Sequence, residues 1–182
     1  MTNGAIRSRA FTPKARVVIA LSIACSVSSC CMAHGHVSPT ENITIAGPGF
    51  SPDPLTSSSQ AGGRNEASAL AANDGAGHAC VGSIPVIPQH VLHLGAALPL
   101  LRILVSGTED TTLVVRAPSG TFYCNDDSGD PNLSINPLVE ISSAEPGDYA
   151  VYVGAYSQAA MLTTYAIGFT ATPGTFPSEV VR

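Results

Sequence analysis

The sequence predicts an all-β fold, a single β-sandwich of about seven short strands. Short segments with alternating or β-branched apolar residues recur from Cys80 onward, turn residues separate them, and no long stretch has helical periodicity. The 17 glycines and 14 prolines supply turns without reaching the content typical of disordered chains. The predicted strands are 90–94, 100–105, 113–117, 121–124, 138–141, 149–153 and 164–170.

The clearest element is the hairpin over residues 113–124. Leu113, Val115 and Ala117 alternate with other residues at the period of a half-buried strand. The turn 118–120 contains a proline, which fixes φ, and a glycine, which accepts positive φ. Residues 121–124 are β-formers and complete the hairpin.

The remaining strands differ in their patterns. Residues 100–105 are apolar except for Arg102, which predicts a strand covered at least in part on both faces. The strand 149–153 follows a Pro-Gly-Asp turn. The last predicted strand is 164–170, in which Tyr165 and Phe169 fall on one face.

Residues 1–33 are predicted to be a signal peptide. A basic segment comes first, an apolar run over 17–27 follows, and small residues come after it. The apolar run is too short to span a bilayer comfortably. Cleavage after Ala33 would release a soluble protein that begins at His34. Alternatively, residues 27–30 resemble a lipobox, in which case Cys30 becomes the lipidated first residue of a membrane-anchored lipoprotein.

The charge distribution excludes some classes of partner. The chain has a formal charge of −5, and four of its eight basic residues lie in the first 16 positions. Removal of the leader leaves four arginines and thirteen acidic residues, a formal charge of −9. Such a domain repels nucleic acid and anionic lipid, so we expect membrane contact only through a lipid anchor.

The segments on either side of the sandwich are predicted to be loosely structured. Residues 34–79 are expected to form an irregular segment that drapes over the sandwich, with one short strand at 41–45 and a Ser/Gly-rich linker at 57–63. The sandwich itself covers 80–172, and 173–182 is expected to be a flexible tail.

Two cysteines lie in the body of the chain. Because the domain is predicted to be exported, Cys80 and Cys124 are expected to form one disulfide. Such a bond would close a loop of about 45 residues and stabilise the fold by about 4 kcal/mol in the chain-entropy model. The alternative is a pair of free, reactive thiols.

The loop after the hairpin is the candidate metal site. Asn125, Asp126, Asp127 and Asp130 place several hard oxygen donors together, and Asp110 lies at the start of the hairpin. Calcium prefers carboxylate and carbonyl oxygens, so this set predicts a calcium site. The alternative is an Asx-turn, in which the side chains cap their own backbone.

No catalytic constellation is evident, so the chain is predicted not to be an enzyme. The sequence has no G-x-S-x-G motif, and His78, His90 and His93 have no zinc-ligand spacing with the cysteines. His90 and His93 are three residues apart on a predicted strand and therefore face opposite sides. They are expected to be surface or edge residues.

About 90 residues resemble the bacterial pre-peptidase C-terminal domain. The matching elements are an ordered series of short motifs, each with the spacing of the family. They are Asp110-Thr111-x-Leu113, Pro118-x-Gly120, Asn125-Asp126-Asp127, Gly147-x-Tyr149-x-Val151-x-Val153-Gly154 and Tyr165-x-Ile167. The segments 80–82 and 88–90 resemble a cysteine-bearing variant of the same family.

The resemblance implies a jelly-roll-like sandwich that serves secreted peptidases as a non-catalytic accessory module. Family members are linked to calcium binding, stability, and binding of protein or polysaccharide. This chain departs from the pattern because no peptidase domain and no acidic N-terminal linker accompany the module. We therefore expect an exported binding module in the periplasm or outside the cell, with calcium as a possible cofactor and an unknown protein or polysaccharide partner.

Two alternatives come from other functional classes. The first is a structural surface lipoprotein anchored at Cys30. The second is a copper-dependent oxidase, because a mature chain that begins His34-Gly35-His36 resembles the first residues of bacterial lytic polysaccharide monooxygenases. That second resemblance covers about six residues, and the chain lacks tryptophan.

Overall fold

Two β-sheets pack face to face over one apolar core, which confirms the predicted all-β sandwich. The structure is a computed structural model that describes Met1, residues 39–133 and residues 135–180. The chain divides into two units, 1–35 and 36–182, and the description concerns the second. Its elements are β1 (Glu41–Ile45), β2 (Leu55–Gln60), β3 (Asn65–Glu66), α1 (Ala67–Leu70), β4 (Ser83–Ile84), β5 (His90–Leu94), β6 (Leu98–Gly107), β7 (Thr111–Arg116), β8 (Phe122–Asn125), β9 (Leu138–Ala144), β10 (Gly147–Ala155), β11 (Thr164–Thr170) and two 3₁₀ turns, Gln158–Ala160 and Pro177–Glu179.

In the first sheet, which has seven strands, β10 lies at the centre. It pairs with β5 and with β7 along most of its length and with β4 at Ala155, always antiparallel. β1 pairs with β5 in parallel, while β8 pairs with β7 and β3 pairs with β4 in antiparallel fashion. The second sheet has the order β2-β11-β6-β9 and is antiparallel throughout. β1 and β2 are therefore each an edge strand.

The core lies between the sheets and follows the strand period of two. Leu92 and Leu94 of β5 face Ile167 and Phe169 of β11 across one continuous apolar cluster. Each of these side chains is at most 3% exposed, and burial of one such side chain stabilises the fold by about 1.5–3 kcal/mol. The apolar residues that alternate in the sequence thus form the inner face of each strand.

The seven predicted strands are all present. Those at 90–94 and 164–170 have the predicted bounds, and the other five differ at their ends. The largest difference is β6, which has 10 residues and whose last seven are buried. Its outer face is covered because Val180 packs on Leu104 and Ala166.

The described part of the predicted irregular segment, residues 39–79, contains regular structure. The short strand at 41–45 is present, but residues 55–60 also form a strand, β2, which pairs with β11 over six residue pairs. The Ser/Gly composition suggested a linker. Serine is nevertheless tolerated here because only one side of β2 is paired and its inner face borders a polar cleft.

The described part of the predicted tail, residues 173–180, contacts the sandwich at several points. Arg102 donates from Nη1 to the carbonyl of Thr175 at 2.6 Å and lies over the ring of Phe176 at 5.7 Å. Asp130 accepts a hydrogen bond from the backbone of Ser178 at 2.8 Å. Val180, 3% exposed, then packs on the outer face of the second sheet. Several separate contacts thus hold a segment that has no periodicity of its own.

The predicted disulfide is confirmed. Cys80 and Cys124 are bonded, with Cα atoms 5.2 Å apart, and close a loop with a sequence separation of 44. The bond joins β8 to the loop before β4 on the outer face of the first sheet, where Val114 and Tyr152 pack against it. This excludes the alternative of a free thiol pair.

Asp74 stabilises the same loop. Its carboxylate accepts hydrogen bonds from the backbone of Ala76 at 2.9 Å and of His78 at 2.8 Å. Burial raises the pKa of Asp74, but these bonds, together with those from the His78 ring and the Cys124 backbone, outweigh it and leave the pKa below its ordinary value.

The predicted signal peptide, the cleavage site after Ala33, the lipidation of Cys30 and the copper site at His34 all lie outside the described residues. Across residues 39–133 and 135–180, the helices are too short to cross a membrane.

Candidate functional site

The predicted calcium loop divides into two groups with different roles. Asn125 and Asp130 are occupied by backbone contacts: Asn125 Oδ1 accepts from the Leu138 N–H at 2.9 Å, which joins β8 to β9. Asp130 is fully buried and accepts from the N–H groups of Asn132 and Ser178, each at 2.8 Å. Burial raises the pKa of Asp130, but these hydrogen bonds leave it below its ordinary value. Asp130 thus forms the Asx-turn of the alternative through Asn132, whereas Asn125 binds the backbone of a different strand.

The second group consists of Asp110, Asp126 and Asp127. Oδ1 of Asp110 is buried and has no hydrogen-bond partner among the described residues. Burial raises the pKa of Asp110, and the negative charges of Asp127 and Asp126 raise it further. The loop therefore brings these three carboxylates close enough to repel each other.

No group of three His, Cys, Asp or Glu side chains within residues 39–133 and 135–180 is arranged to hold a metal ion. Calcium coordination by the full set of five predicted ligands thus stays a prediction. Asp110, Asp126 and Asp127 are the members whose electrostatics favour a cation.

A second site lies on the other side of the sandwich and was missed in the sequence. A cleft of about 290 Å³ opens where the edge strands β1 and β2 meet. Its walls are mostly polar. They include Glu41 of β1, Ser58, Ser59 and Gln60 of β2, and the adjacent pair Gln89 and His90 at the start of β5.

Directional hydrogen bonds connect the two sheets beneath this cleft. Nδ1 of His90 lies 3.0 Å from Oε2 of Glu41, and Nε2 of His90 lies 2.8 Å from the Tyr165 hydroxyl. Because a carboxylate only accepts, Nδ1 carries the proton and Nε2 accepts from Tyr165. The Ser57 hydroxyl also donates to Glu41 Oε2. Glu41 is thus held in place by two donors.

The strand period explains why these polar groups meet. Glu41 lies on the same face of β1 as the buried Ile43 and Ile45, and His90 lies on the same face of β5 as Leu92 and Leu94. The register pairs Glu41 with His90. The core is therefore apolar along most of these strands and polar at the end where they begin.

The burial of these groups limits their chemistry. His90 and Tyr165 are fully buried. Burial lowers the pKa of His90, and Glu41 opposes this to a smaller extent, so the imidazole is neutral at neutral pH. Burial also raises the pKa of Tyr165, which keeps its hydroxyl protonated. Only Glu41, whose side chain is 48% exposed, presents charge to the solvent.

Gln89 fixes the floor of the cleft. Its Nε2 donates to the carbonyls of Val153 at 2.8 Å and Gln60 at 3.2 Å, and its Oε1 accepts from the Val153 N–H at 2.9 Å. One buried amide therefore ties the edge strand β2 to the central strand β10, and the cleft is held open by satisfied hydrogen bonds.

The prediction that His90 is a surface or edge residue was wrong. The prediction that His90 and His93 face opposite sides is confirmed: His93 is half-exposed on the outer face, where it contacts Asp148 at 2.6 Å and Asn42 at 3.1 Å. A signal for the burial of His90 was available, because His90, Leu92 and Leu94 share one period-two face.

No protein-family model and no curated protein sequence matches the chain. Two solved structures resemble the fold. One is the pre-peptidase C-terminal domain of collagenase from Bacillus anthracis, with 17% identity over 72% of this chain and 97% of that chain and a TM-score of 0.42. The other is PliG from Aeromonas hydrophila, a periplasmic inhibitor of g-type lysozyme, with 11% identity over 72% of this chain and 100% of that chain and a TM-score of 0.31. Identities and TM-scores this low assign no function by similarity.

Proposed function

We propose that the chain is an exported, non-catalytic β-sandwich module that binds a protein or polysaccharide ligand in the cleft between β1 and β2. The observation that carries this proposal is the cleft itself. A half-exposed carboxylate, two serines and an amide line one concave surface, and a buried hydrogen-bond network fixes their positions. Preorganised polar groups of this kind give orientation and specificity to a bound ligand.

The same network argues for binding rather than catalysis. The Glu41–His90–Tyr165 arrangement resembles a proton relay, but Tyr165 is fully buried and a substrate cannot reach its hydroxyl. Burial keeps this hydroxyl protonated and therefore weakly nucleophilic. The relay supports Glu41 and does not present a reactive atom.

The Cys80–Cys124 bond supports export, because disulfides persist in the periplasm and outside the cell and are rare in the cytosol. We therefore place the module in one of these two compartments.

Sedimentation with insoluble ligands tests this function. Purified exported protein is mixed with chitin, cellulose, peptidoglycan or gelatin, and the bound fraction is measured. The matched variants are Ser58→Tyr, which fills the cleft, and Ser142→Tyr on the opposite edge strand β9, which is also exposed. We expect at least one ligand to bind the parent and Ser142→Tyr but not Ser58→Tyr. Binding to none of them, or equal binding by both variants, would reject the proposal.

We further propose that calcium stabilises the module at Asp110, Asp126 and Asp127. The support is the unpartnered buried oxygen of Asp110 and the mutual repulsion of the three carboxylates. When bound, calcium would neutralise this repulsion and take the unpartnered Asp110 oxygen as a ligand.

Thermal melts test the calcium site, with Asp110→Asn as the variant. The raised pKa of Asp110 means that ionisation at neutral pH destabilises the fold, so in EDTA the variant should melt above the parent. Calcium should raise the melting temperature of the parent and leave the variant unchanged. An equal calcium response in both proteins would rule out Asp110 as a ligand.

A further inference from the structure

We infer that the cleft between β1 and β2 takes the ammonium group of a lysine side chain from a peptide ligand, and that an apolar residue of the same peptide occupies a second, mainly apolar pocket. This inference rests on the proposed binding function and names the class of ligand. It follows from the charge of the cleft, from the second pocket and from the segment of chain that they share.

The cleft is negative. Glu41 is its charged residue, His90 is neutral at neutral pH, and the other lining side chains are uncharged. Ser57 and His90 both donate to Oε2 of Glu41. The second carboxylate oxygen belongs to a side chain that is 48% exposed and thus faces an incoming donor. An ammonium group supplies such donors together with the complementary charge.

A separate pocket of about 120 Å³ is lined mainly by apolar residues and includes Pro85 and Val86, which shortly precede the cleft residue Gln89 in the chain. Leu70, Ile84, Val86 and Tyr152 contribute to its lining. An engineered apolar cavity of about 150 Å³ accommodates benzene, so a leucine or valine side chain has the right size for this pocket. Val86 is 73% exposed, and its neighbour Ile87 is 43% exposed. Exposed apolar side chains grouped at one pocket are typical of an interaction site.

One short segment of chain lines both cavities. Pro85 and Val86 border the apolar pocket, while Gln89 and His90 border the cleft. Val86 and Gln89 are three residues apart, which places their Cα atoms within about 11 Å. In an extended peptide, side chains two positions apart lie on the same face about 7 Å from each other. We therefore expect one peptide to reach both cavities with a lysine and an apolar residue.

The described part of the cleft favours a peptide over a sugar. The aromatic rings beneath the cleft, His90 and Tyr165, are fully buried and offer no exposed face on which a sugar ring could stack. The exposed surface next to the cleft is aliphatic, at Val86 and Ile87. Aliphatic contacts combined with a carboxylate match a peptide that carries both lysine and leucine.

Nuclear magnetic resonance titration of the ¹⁵N-labelled exported protein tests the inference. The probe is the peptide acetyl-Gly-Lys-Gly-Leu-Gly-amide. Comparison probes carry acetyl-lysine in place of lysine or glycine in place of leucine, and a chitosan tetramer supplies ammonium groups on a sugar. We expect shifts at Glu41, Gln60, Val86 and Gln89, and a Kd at least tenfold weaker for the acetyl-lysine peptide.

Two glutamate variants form a matched pair. Glu41→Gln keeps an oxygen that accepts from Ser57 and His90 but removes the charge, and it should weaken peptide binding about three- to fivefold. Glu145→Gln removes an exposed charge from the turn between β9 and β10 and should leave the Kd unchanged.

Three outcomes would overturn the inference: equal Kd values for the lysine and acetyl-lysine peptides, equal Kd values for the two glutamate variants, or tighter binding of the chitosan tetramer than of the peptide. Each of these can occur while the protein still sediments with an insoluble ligand in a Ser58-dependent way. The proposed function would fail as well only if no ligand bound at the cleft.

Discussion

Replacement of His90 by phenylalanine removes one hydrogen-bonded link between the two sheets and keeps an aromatic ring at this position. Phenylalanine keeps the edge-on contacts with Tyr165 and Phe169, whose ring centroids lie 5.9 and 6.5 Å from that of His90. The variant loses both imidazole hydrogen bonds. Glu41 is half-exposed and can be hydrated instead, but the buried Tyr165 hydroxyl loses its acceptor, which costs about 1–3 kcal/mol. We expect His90→Phe to lower the free energy of unfolding at pH 7.5 by about 2 kcal/mol.

The same residue produces a dependence on pH. Burial holds the pKa of His90 below its unfolded value, so on acidification the unfolded chain takes up the proton first. Stability contributed by neutral His90 is therefore present above the unfolded pKa and is lost as the pH falls below it. If the imidazole has an unfolded pKa of about 6.5 and stays neutral in the folded state, the free energy of unfolding would fall by up to about 2 kcal/mol between pH 7 and pH 5. His90→Phe lacks this loss, so the parent and the variant should become similar in stability near pH 5.

Urea unfolding at pH 7.5 and pH 5 measures both effects. The control is His93→Phe, on the same strand but the opposite, exposed face, which should change the free energy by less than about 0.5 kcal/mol at either pH. Other titrating groups are common to the parent and the variants and cancel in the comparison. Equal losses for the two histidine variants, or a constant gap between His90→Phe and the parent at both pH values, would refute the account of the buried network.

Two further predictions concern the disulfide bond and the C-terminal segment. Replacement of Cys80 and Cys124 together by serine should lower the free energy of unfolding by about 4 kcal/mol under non-reducing conditions, because the loop they close is long; a change below about 1 kcal/mol would show that the bond contributes little. Val180→Ala should cost about 2 kcal/mol, because Val180 is buried on Leu104, whereas Val86→Ala at an exposed position should cost less than about 0.5 kcal/mol. Thermal melts compare these two valine variants, and equal melting temperatures would mean that the C-terminal segment does not pack as described.

The strands that the sequence predicted share one physical property. In 113–117 and 164–170, alternate side chains enter the central core, and this period of two is visible in the sequence although the other face is covered as well. β2 could not be found in this way, because its inner face carries Ser57, which donates to Glu41, and Ser59, which borders the polar cleft. Its position depends on β11, which follows about a hundred residues later in the chain and supplies the pairing partner.

The candidate site was partly accessible from the sequence. The acidic loop was visible because its oxygen donors are neighbours in sequence, although Asn125 and Asp130 bind backbone groups that the sequence does not identify. The cleft was not visible, because His90 is separated from Glu41 by 49 positions and from Tyr165 by 75. Pairing between strands brings such groups together, and no local pattern encodes it.

The intact mass of the protein exported by a bacterial host, with and without reductant and alkylation, tests the central proposal most directly. An exported, disulfide-bonded module predicts a chain that begins at His34, with Cys80 and Cys124 alkylated only after reduction. A diacylated or triacylated mass that begins at Cys30 would support the membrane-anchored alternative. An unprocessed chain whose Cys80 and Cys124 react with the alkylating agent before reduction would contradict both the export and the disulfide.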